Sequence, residues 1–518
     1  MAIIKQFDKR SGITYVYESK SYWDKEKKQS RAKRTLIGKI DEKTGEMVPT
    51  DGRMRNAKKK EKAVKFNPKN VTNKHFGSTY LLQSIARKVH LIDDLKLIFP
   101  QHYQVLLDLA YFLVLAPTNA MRQVENWSHL HHLFSNTQLT SQFISKIFQE
   151  VTENKKQSFF RKRINRLDED EFWCYDTTTI SSYSQTLPYI QFGFNKEHDQ
   201  LPQLNLAYVY SEKTRLPIMY RPLTGSVPDV KTLPWLFGLF DGLERENIRL
   251  VMDRGFYSQE NVVQLCQENM TFILGSKLSL KYVQNAINSV IDDLDDYQYY
   301  LPSYALYARE IHLKSVFPAS KTSYYPVSLH VYYDPQRASE ERMALDGKLK
   351  QWEELLRKKP EVFDDIKQIR RYFALTNNGY QLIKEAVENK KRQAGYFVLL
   401  SNSSLTSEEV LRLYRNKDVV EKNFENIKDR MNMRRTRVSS EQSLEGKLFV
   451  QHIALILIAY IKREMALSGL NKSYTIDDVL CNLDQIYGYW DDSFGFTLGE
   501  VLSKHEQIYE GLKITPPR

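Results

Sequence analysis

Three carboxylates stand in settings that suit chemistry: Asp176 in CYDTTT, Asp253 in VMDRG and Glu421 in YRNKDVVEKNFENIKDRM. The first two close β-type runs, EFWCYDTTTI and IRLVMDRG. Acids at strand ends project at one rim of an α/β sheet, where such sheets place their ligands. Glu421 lies on a helical pattern. Wound at about 100° per residue, Tyr414, Lys417, Glu421 and Lys428 fall within an arc of roughly 60°. Beside that stripe Leu413, Val420, Phe424, Ile427 and Met431 make an apolar one, which would hold the helix on a core and turn the charged stripe outward. A solvated helix face has the same pattern, and a strand-end Asp also serves as a cap or turn residue. In combination, with the helix packed on the sheet, the three hard oxygen donors can converge on Mg²⁺ or Mn²⁺. Two such ions would activate a water or a 3′-hydroxyl and stabilise the leaving oxygen of an in-line phosphoryl displacement.

The elements that must position these acids follow from periodicity. After EFWCYDTTTI, the segment LNLAYVYSEKTRLPIMYRPLTG reads as two strands around a charged turn. A helix follows, with Asp229 as the expected N-cap of VKTLPWLFGLFDGL. IRLVMDRG is a buried-type strand, SQENVVQLCQENM a capped helix and TFILGSKL another strand, so the order is β-β-β-α-β-α-β. Residues 276 to 400 interrupt it with β-type runs (SLHVYYD, YFALTNN, AGYFVLLSN) and the charged helix ERMALDGKLKQWEELLRKK. SSLTSEEVLRLYRNKDVVEKNFENIKDRM then supplies a long capped helix, and a mostly helical stretch continues to Arg518.

The totals bound the partners. A chain of 518 residues exceeds what one core usually holds, and length suggests three or four domains. Cys174, Cys266 and Cys481 are isolated, which fits neither a disulfide framework nor a zinc spacing and suits a reducing cytosol. MAIIKQFDKR lacks a signal-peptide core. The apolar runs FVQHIALILIAYI and VLLDLAYFLVLA fall short of the roughly 20 residues that span a bilayer and read as buried helices. Residues 1 to 74 hold 21 Lys or Arg against 9 Asp or Glu, an excess equal to the +12 of the whole chain. A basic segment on a balanced body suits a polyanion-binding arm; a solubilising tail has the same composition. In it ITYVYESKSYW and TLIGKIDEKTGEMVPT suggest two or three short strands, before the charged RMRNAKKKEKAVK. Residues 77 to 166 are helical in pattern. Their HLHH cluster (His129, His131, His132) lacks the spacing and the cysteines of a zinc site.

Together these motifs resemble the DDE transposases of bacterial insertion sequences, the IS-four type with a Tyr-x2-Arg-x3-Glu-x6-Lys signature. Here that signature falls on Tyr414, Lys417, Glu421 and Lys428, with Lys in the Arg position. Asp176 in YDTTT and Asp253 in MDRGFYSQEN match the first two acids, and GFNKEHDQLPQLNLAYV and LPIMYRPLTGSVPDVKTL add further similarity. The resemblance implies an α/β fold: a ribonuclease-H-like (retroviral-integrase-like) catalytic core interrupted by a mainly β insertion domain. It implies two Mg²⁺ ions (Mn²⁺ substituting) on Asp176, Asp253 and Glu421, with Tyr414, Lys417 and Lys428 on DNA phosphates. It also implies cleavage at terminal inverted repeats, strand transfer into target DNA, and a homodimer that pairs the ends in the bacterial cytoplasm. Lys at 417 replaces a planar bidentate donor with a point charge. Trp352, the only Trp of the insertion interval, would stack on a flipped base or simply be packed. The expected division is a basic β arm and linker (1–75), a helical DNA-binding region (76–168), the first half of the core (169–275), the insertion (276–400), the second half with the Glu helix (401–470) and a helical C-terminal region (471–518). A regulator that binds DNA without chemistry, or a decayed transposase, is the competing class.

Overall fold

The computed structural model describes the chain except for residues 51–70, 117, 119, 185–186, 195–199, 241–246, 378, 419–423, 425–439 and 492–494. The described residues form two compact units, where length suggested three or four: residues 1–72 with 490–496, and residues 73–489 with 497–518.

The first unit carries an antiparallel sheet in the order β1 (Ala2–Asp8), β2 (Ile13–Asp24), β3 (Gln29–Ile40), β4 (Met47–Val48). β2 and β3 are not the short strands expected, each running 12 residues. A further short strand, β5 (Val71–His75), precedes six helices: α1 (Gly77–Lys88), α2 (Leu91–Ile98), α3 (Tyr103–Leu115), α4 (Val124–Leu130), α5 (Ser141–Gln149) and α6 (Glu153–Ile164).

The order expected for the core is the order found: β6 (Phe172–Ser181), β7 (Gln203–Ser211), β8 (Pro217–Thr224), α7 (Leu233–Phe240), β9 (Arg249–Met252), α8 (Gln259–Gln267) and β10 (Thr271–Gly275). β6, β7 and β8 form an antiparallel meander, whereas β9 runs parallel to both β6 and β10. β9 and β10 are mostly apolar and buried, and β6 is buried along its whole length although it carries Asp176 and three threonines. Ser258 caps α8 by accepting the Asn261 N–H, as SQENVV suggests.

Residues 276–400 contain α9 (Lys281–Asn288), β11 (Tyr300–Leu301), β12 (Leu306–Leu313), β13 (Val327–Tyr333), α10 (Pro335–Lys358), α11 (Val362–Asp365), α12 (Ile369–Tyr372), β14 (Phe373–Thr376), β15 (Gly379–Leu382), α13 (Lys384–Arg392) and most of β16 (Tyr396–Ser401). The interval is therefore not mainly β; helices hold more of it than strands. Of its β-type runs only YFALTNN enters a sheet of its own, the two-stranded β14–β15; the others extend the core sheet. β16 pairs antiparallel with β10, and β13 and β12 follow, giving one nine-stranded sheet in the order β11-β12-β13-β16-β10-β9-β6-β7-β8. A separate small cluster beneath α10 holds Leu349, Leu356, Ile369, Tyr372, Phe373 and Val387. Trp352 packs against that cluster, its ring 6.0 Å from Tyr372 in a stacked arrangement.

The chain continues with α14 (Ser407–Asn416), α15 (Glu441–Ser468), α16 (Ile476–Leu483), β17 (Tyr487–Asp491), β18 (Gly495–Leu498) and α17 (Ser503–Gly511). α15 is 28 residues long and apolar enough to cross a membrane, longer than its apolar run alone suggested, yet it is buried inside the protein. It packs on α3 and α5 on one side and on β8 on another, so helical layer and sheet share one hydrophobic core. That sharing is why the large unit does not divide. Gly446 permits the close approach to α5: a Cβ there would lie 2.4 Å from that of Phe148.

Within this core His452 is surrounded by the rings of Phe159, Phe160, Tyr208 and Tyr220, at centroid distances of 5.2 to 6.1 Å. Burial, and next the Arg163 charge, push its pKa down to about 3. Below its ordinary value of 6.5 the unfolded chain binds a proton that the folded chain refuses. His452 thus costs nothing above about pH 6.5 and progressively destabilises the fold as pH falls from there toward 3. Between pH 7 and 5 this amounts to about 2 kcal/mol. Urea unfolding at the two pH values should show a smaller acid loss, by about that amount, in His452→Leu than in the natural chain.

Candidate active site

Asp176 is the fifth residue of β6, not at its end as the sequence suggested, because the β-type run continues through TTTIS to Ser181. The rim is supplied by its neighbour. β9 pairs in parallel register with β6 only as far as Tyr175 opposite Met252, so the next residue on each chain is an aspartate, Asp176 and Asp253. The two acids stand side by side where β9 leaves the sheet. Asp176 is largely buried and accepts the Thr177 backbone N–H at 2.7 Å.

Asp253 starts the 3₁₀ turn Arg254–Phe256. Its Oδ1 accepts two bonds, from the Arg254 N–H at 2.7 Å and from the Tyr414 hydroxyl at 3.0 Å. Both fall on one oxygen, which turns Oδ2 toward other duties. Tyr414 arrives from α14, expected from SSLTSEE as a capped helix, whose N-terminus is fixed by the capping box of Thr406 and Glu409. Its approach depends on a glycine at the end of β10. A Cβ on Gly275 would lie 2.8 Å from the Tyr414 hydroxyl oxygen and 2.8 Å from the Arg254 backbone nitrogen.

The stripe of Tyr414 and Lys417 therefore does not face solvent. Lys417, the C-cap of α14, is 3% exposed, and its Nζ lies 6.0 Å from the centre of the Tyr414 ring. It is close enough to Cys174, two residues before Asp176 on β6, to act on its charge. Burial and then the Glu212 carboxylate push the Cys174 thiol up to about 12, and Lys417 opposes them. The reason for this inward turn is that α14 lies across β9, β10, β12 and β16, with sheet beneath more of its circumference than one apolar stripe accounts for. Glu212 at the end of β7 anchors the helix from outside, accepting bonds from Arg412 at 3.5 Å and Asn416 at 2.5 Å.

Glu421 and Lys428 lie outside the described residues. Phe424, between them, is described and buried, with its ring 6.1 Å from Tyr208 and 6.5 Å from Tyr210 of β7. That contact fulfils the apolar stripe read from the sequence at this position. Among the described residues no three His, Cys, Asp or Glu side chains form a metal-sized group. Asp176 and Asp253 fit hard divalent ions as donors, being adjacent carboxylates at the end of a strand pair.

Asp229 belongs to this neighbourhood and was read otherwise from sequence. α7 begins at Leu233, since Pro234 suits a first turn, so Asp229 does not cap it. Its Oδ1 instead accepts the Thr177 hydroxyl at 2.5 Å, and its Oδ2 would lie 3.5 Å from a Cβ at Gly255. It thus bonds the residue that follows Asp176 and lies beside the turn that follows Asp253. The signal available was the length between Asp229 and the first uninterrupted helical turn.

The histidines of HLHH are spread among separate tasks. His131 stacks on Trp127 at 4.4 Å and on His75 at 4.8 Å, with Nε2 3.5 Å from Asp484. Burial, then Lys74, push His132 down to about 4, while His129 is exposed.

An acid pair where the pairing of two parallel strands ends, reached by a hydroxyl from a later helix, defines a carboxylate site on a mixed α/β sheet. The model of the transposase DDE domain matches residues 167–457, more than half of the chain, and the chain belongs to that family. A solved piggyBac transposase, in a synaptic complex with hairpin DNA, is 12% identical, with 79% of this chain and 69% of that one covered at a TM-score of 0.35. The curated proteins gave no match.

Proposed function

We propose that the protein is a DNA transposase that binds the terminal inverted repeats of its element, cuts them and joins the 3′-hydroxyl ends to target DNA. The observation that carries this reading is the adjacency of Asp176 and Asp253, with Tyr414 bonded to Asp253, in a chain of the DDE family. The core is ribonuclease-H-like in this reading, supported by three antiparallel strands followed by two parallel ones in the spatial order β8-β7-β6-β9-β10. Asp176, Asp253 and Glu421 hold two Mg²⁺ ions, which Mn²⁺ can replace; bound there, the metal pair supplies the activation of a water or 3′-hydroxyl and neutralises charge on the leaving oxygen.

The chain's own residues set the geometry. Tyr414 and the Arg254 N–H fix one oxygen of Asp253 and so orient the other. Asp229, through Thr177, steadies the strand at Asp176. Tyr414, Lys417 and Lys428 form the side of the site that meets the DNA phosphates, and the burial of Lys417 favours a place beside the acids rather than on the outer backbone. Two copies pair the two ends, in the reducing cytoplasm that three free cysteines suit.

The test is a duplex carrying the inverted repeats that flank the gene, incubated with full-length protein and Mg²⁺. Nicked and strand-joined products are expected, and Glu421→Gln should yield neither while still shifting the DNA. Natural protein that shifts the ends but never nicks them, with Mg²⁺ or Mn²⁺, would instead make the protein a regulator without chemistry.

A further inference from the structure

We propose that the free end of the β2–β3 hairpin is a ribbon that enters the major groove of double-stranded DNA. This rests on the DNA reading above and names the element and the groove. β1 covers β2 only as far as Ser19, opposite Ala2, so from Lys20 to Lys33 the hairpin continues as two strands alone. Every residue of this stretch is exposed on both faces except Asp24, which is half-buried. A two-stranded ribbon without a covered face is at best marginally stable in water. This one also sets two like charges directly opposite each other, Lys20 against Lys33, which costs stability unless an anion sits between them. On the same face Tyr22 stands opposite Arg31. The acids do little to balance these cations: Asp24 is spent on Arg31 at 3.5 Å and on the N–H groups of Glu26 and Lys27 in the turn. Lys25, Lys27 and Lys28 extend the positive charge around the tip. Trp23, 63% exposed, lies on the opposite face and gives the ribbon an aromatic flank.

Dimensions choose the groove. Five residues per strand beyond Ser19 reach about 16 Å, and two strands with their side chains are about 10 Å across. The B-DNA major groove, ~12 Å wide and ~8.5 Å deep, accepts a two-stranded ribbon; the ~6 Å minor groove does not. The major groove of duplex RNA is too narrow for side chains to read.

The experiment uses full-length protein and labelled 30-base probes, followed by fluorescence anisotropy across a salt series. Duplex DNA should bind more tightly than single-stranded DNA or duplex RNA of the same length. Lys20→Gln, Arg31→Gln and Lys33→Gln together should lower duplex affinity about 100-fold near 0.1 M salt and reduce the salt slope by about 3, one per lost phosphate contact. Lys20→Arg with Lys33→Arg should bind as the natural chain does, and an unchanged thermal melt would show that the triple variant is folded. Dimethyl sulfate on the end duplex should reveal protected guanine N7 atoms, a major-groove mark, that the triple variant leaves open. A triple variant with natural affinity and slope, protection confined to the minor groove, or a preference for single strands or RNA overturns the ribbon and leaves the catalytic reading standing. Failure of the natural chain to bind any duplex DNA overturns both.

Discussion

Asp253→Asn should lower Mg²⁺-dependent cleavage by about 10³-fold, because stabilisation of transition-state charge by a bound metal is worth several kcal/mol and each ~1.4 kcal/mol is tenfold in rate. The substitution keeps the shape of the side chain and an Oδ1 that can still accept from Tyr414 and Arg254, so the turn after β9 should survive. DNA affinity and thermal stability should therefore stay near those of the natural chain while the chemical step is lost. Single-turnover cleavage of end DNA, with a binding isotherm on the same preparation, separates the two effects. A variant that cuts at the natural rate would remove Asp253 from the site, and with it the pairing to Asp176 on which the site is built.

Gly275→Ala should damage the same site from outside it. The new methyl group would meet the Arg254 nitrogen and the Tyr414 hydroxyl oxygen, each at 2.8 Å. The tyrosine can swing away, but the backbone nitrogen cannot yield without carrying the Asp253 turn with it. Overpacking of this kind costs about 1–3 kcal/mol, and displacement of the acid should reduce cleavage by about 10- to 100-fold, since misplacing a reacting group by about 1 Å costs on the order of 10². The double variant Gly275→Ala/Tyr414→Phe distinguishes the two clashes. If the hydroxyl is the main obstacle, the double variant melts higher than Gly275→Ala alone; if the backbone is, the two losses add. Cleavage by Gly275→Ala at the natural rate would mean that Tyr414 and the turn do not set Asp253.

What could be read from sequence divides along the range of the interactions. The β-β-β-α-β-α-β order was legible because each element announces itself within a few residues, and so were the Ser258 cap, the capped start of α14 and the buried face of Phe424. Asp253 could be placed at a strand end because glycine and a turn follow it at once. Asp176 could not be placed as well. It lies within a continuous strand, and what makes it a rim residue is that a different strand, β9, stops beside it. The same limit hid the continuation of the core sheet through β16, β13 and β12: their alternation was visible, but the join of β10 to β16, more than a hundred residues on, is not a local property. Lys417 was assigned to an outward face because one apolar stripe implies one buried side. A short helix laid across several strand ends is covered on more than one side, and nothing in its own sequence says so. Asp229 looked like a cap because capping is the commonest use of such a residue before a helix, and only the pairing of Thr177 with it reveals another use.

The position of α15 bears on what becomes of incomplete copies of this chain. It comes after Glu421, yet helices and sheet that precede it by hundreds of residues close their core around it. A ribosome that stops short of it, at a frameshift or an early stop codon, leaves both layers without their shared filling, and such a product should be degraded rather than persist. Shortened versions that occupy the ends and block the intact protein, a common economy among proteins whose binding and reactive parts fold separately, are thus closed to the large unit. Any such competitor would have to be made from residues 1–72 of the first unit, without the 490–496 segment that completes it.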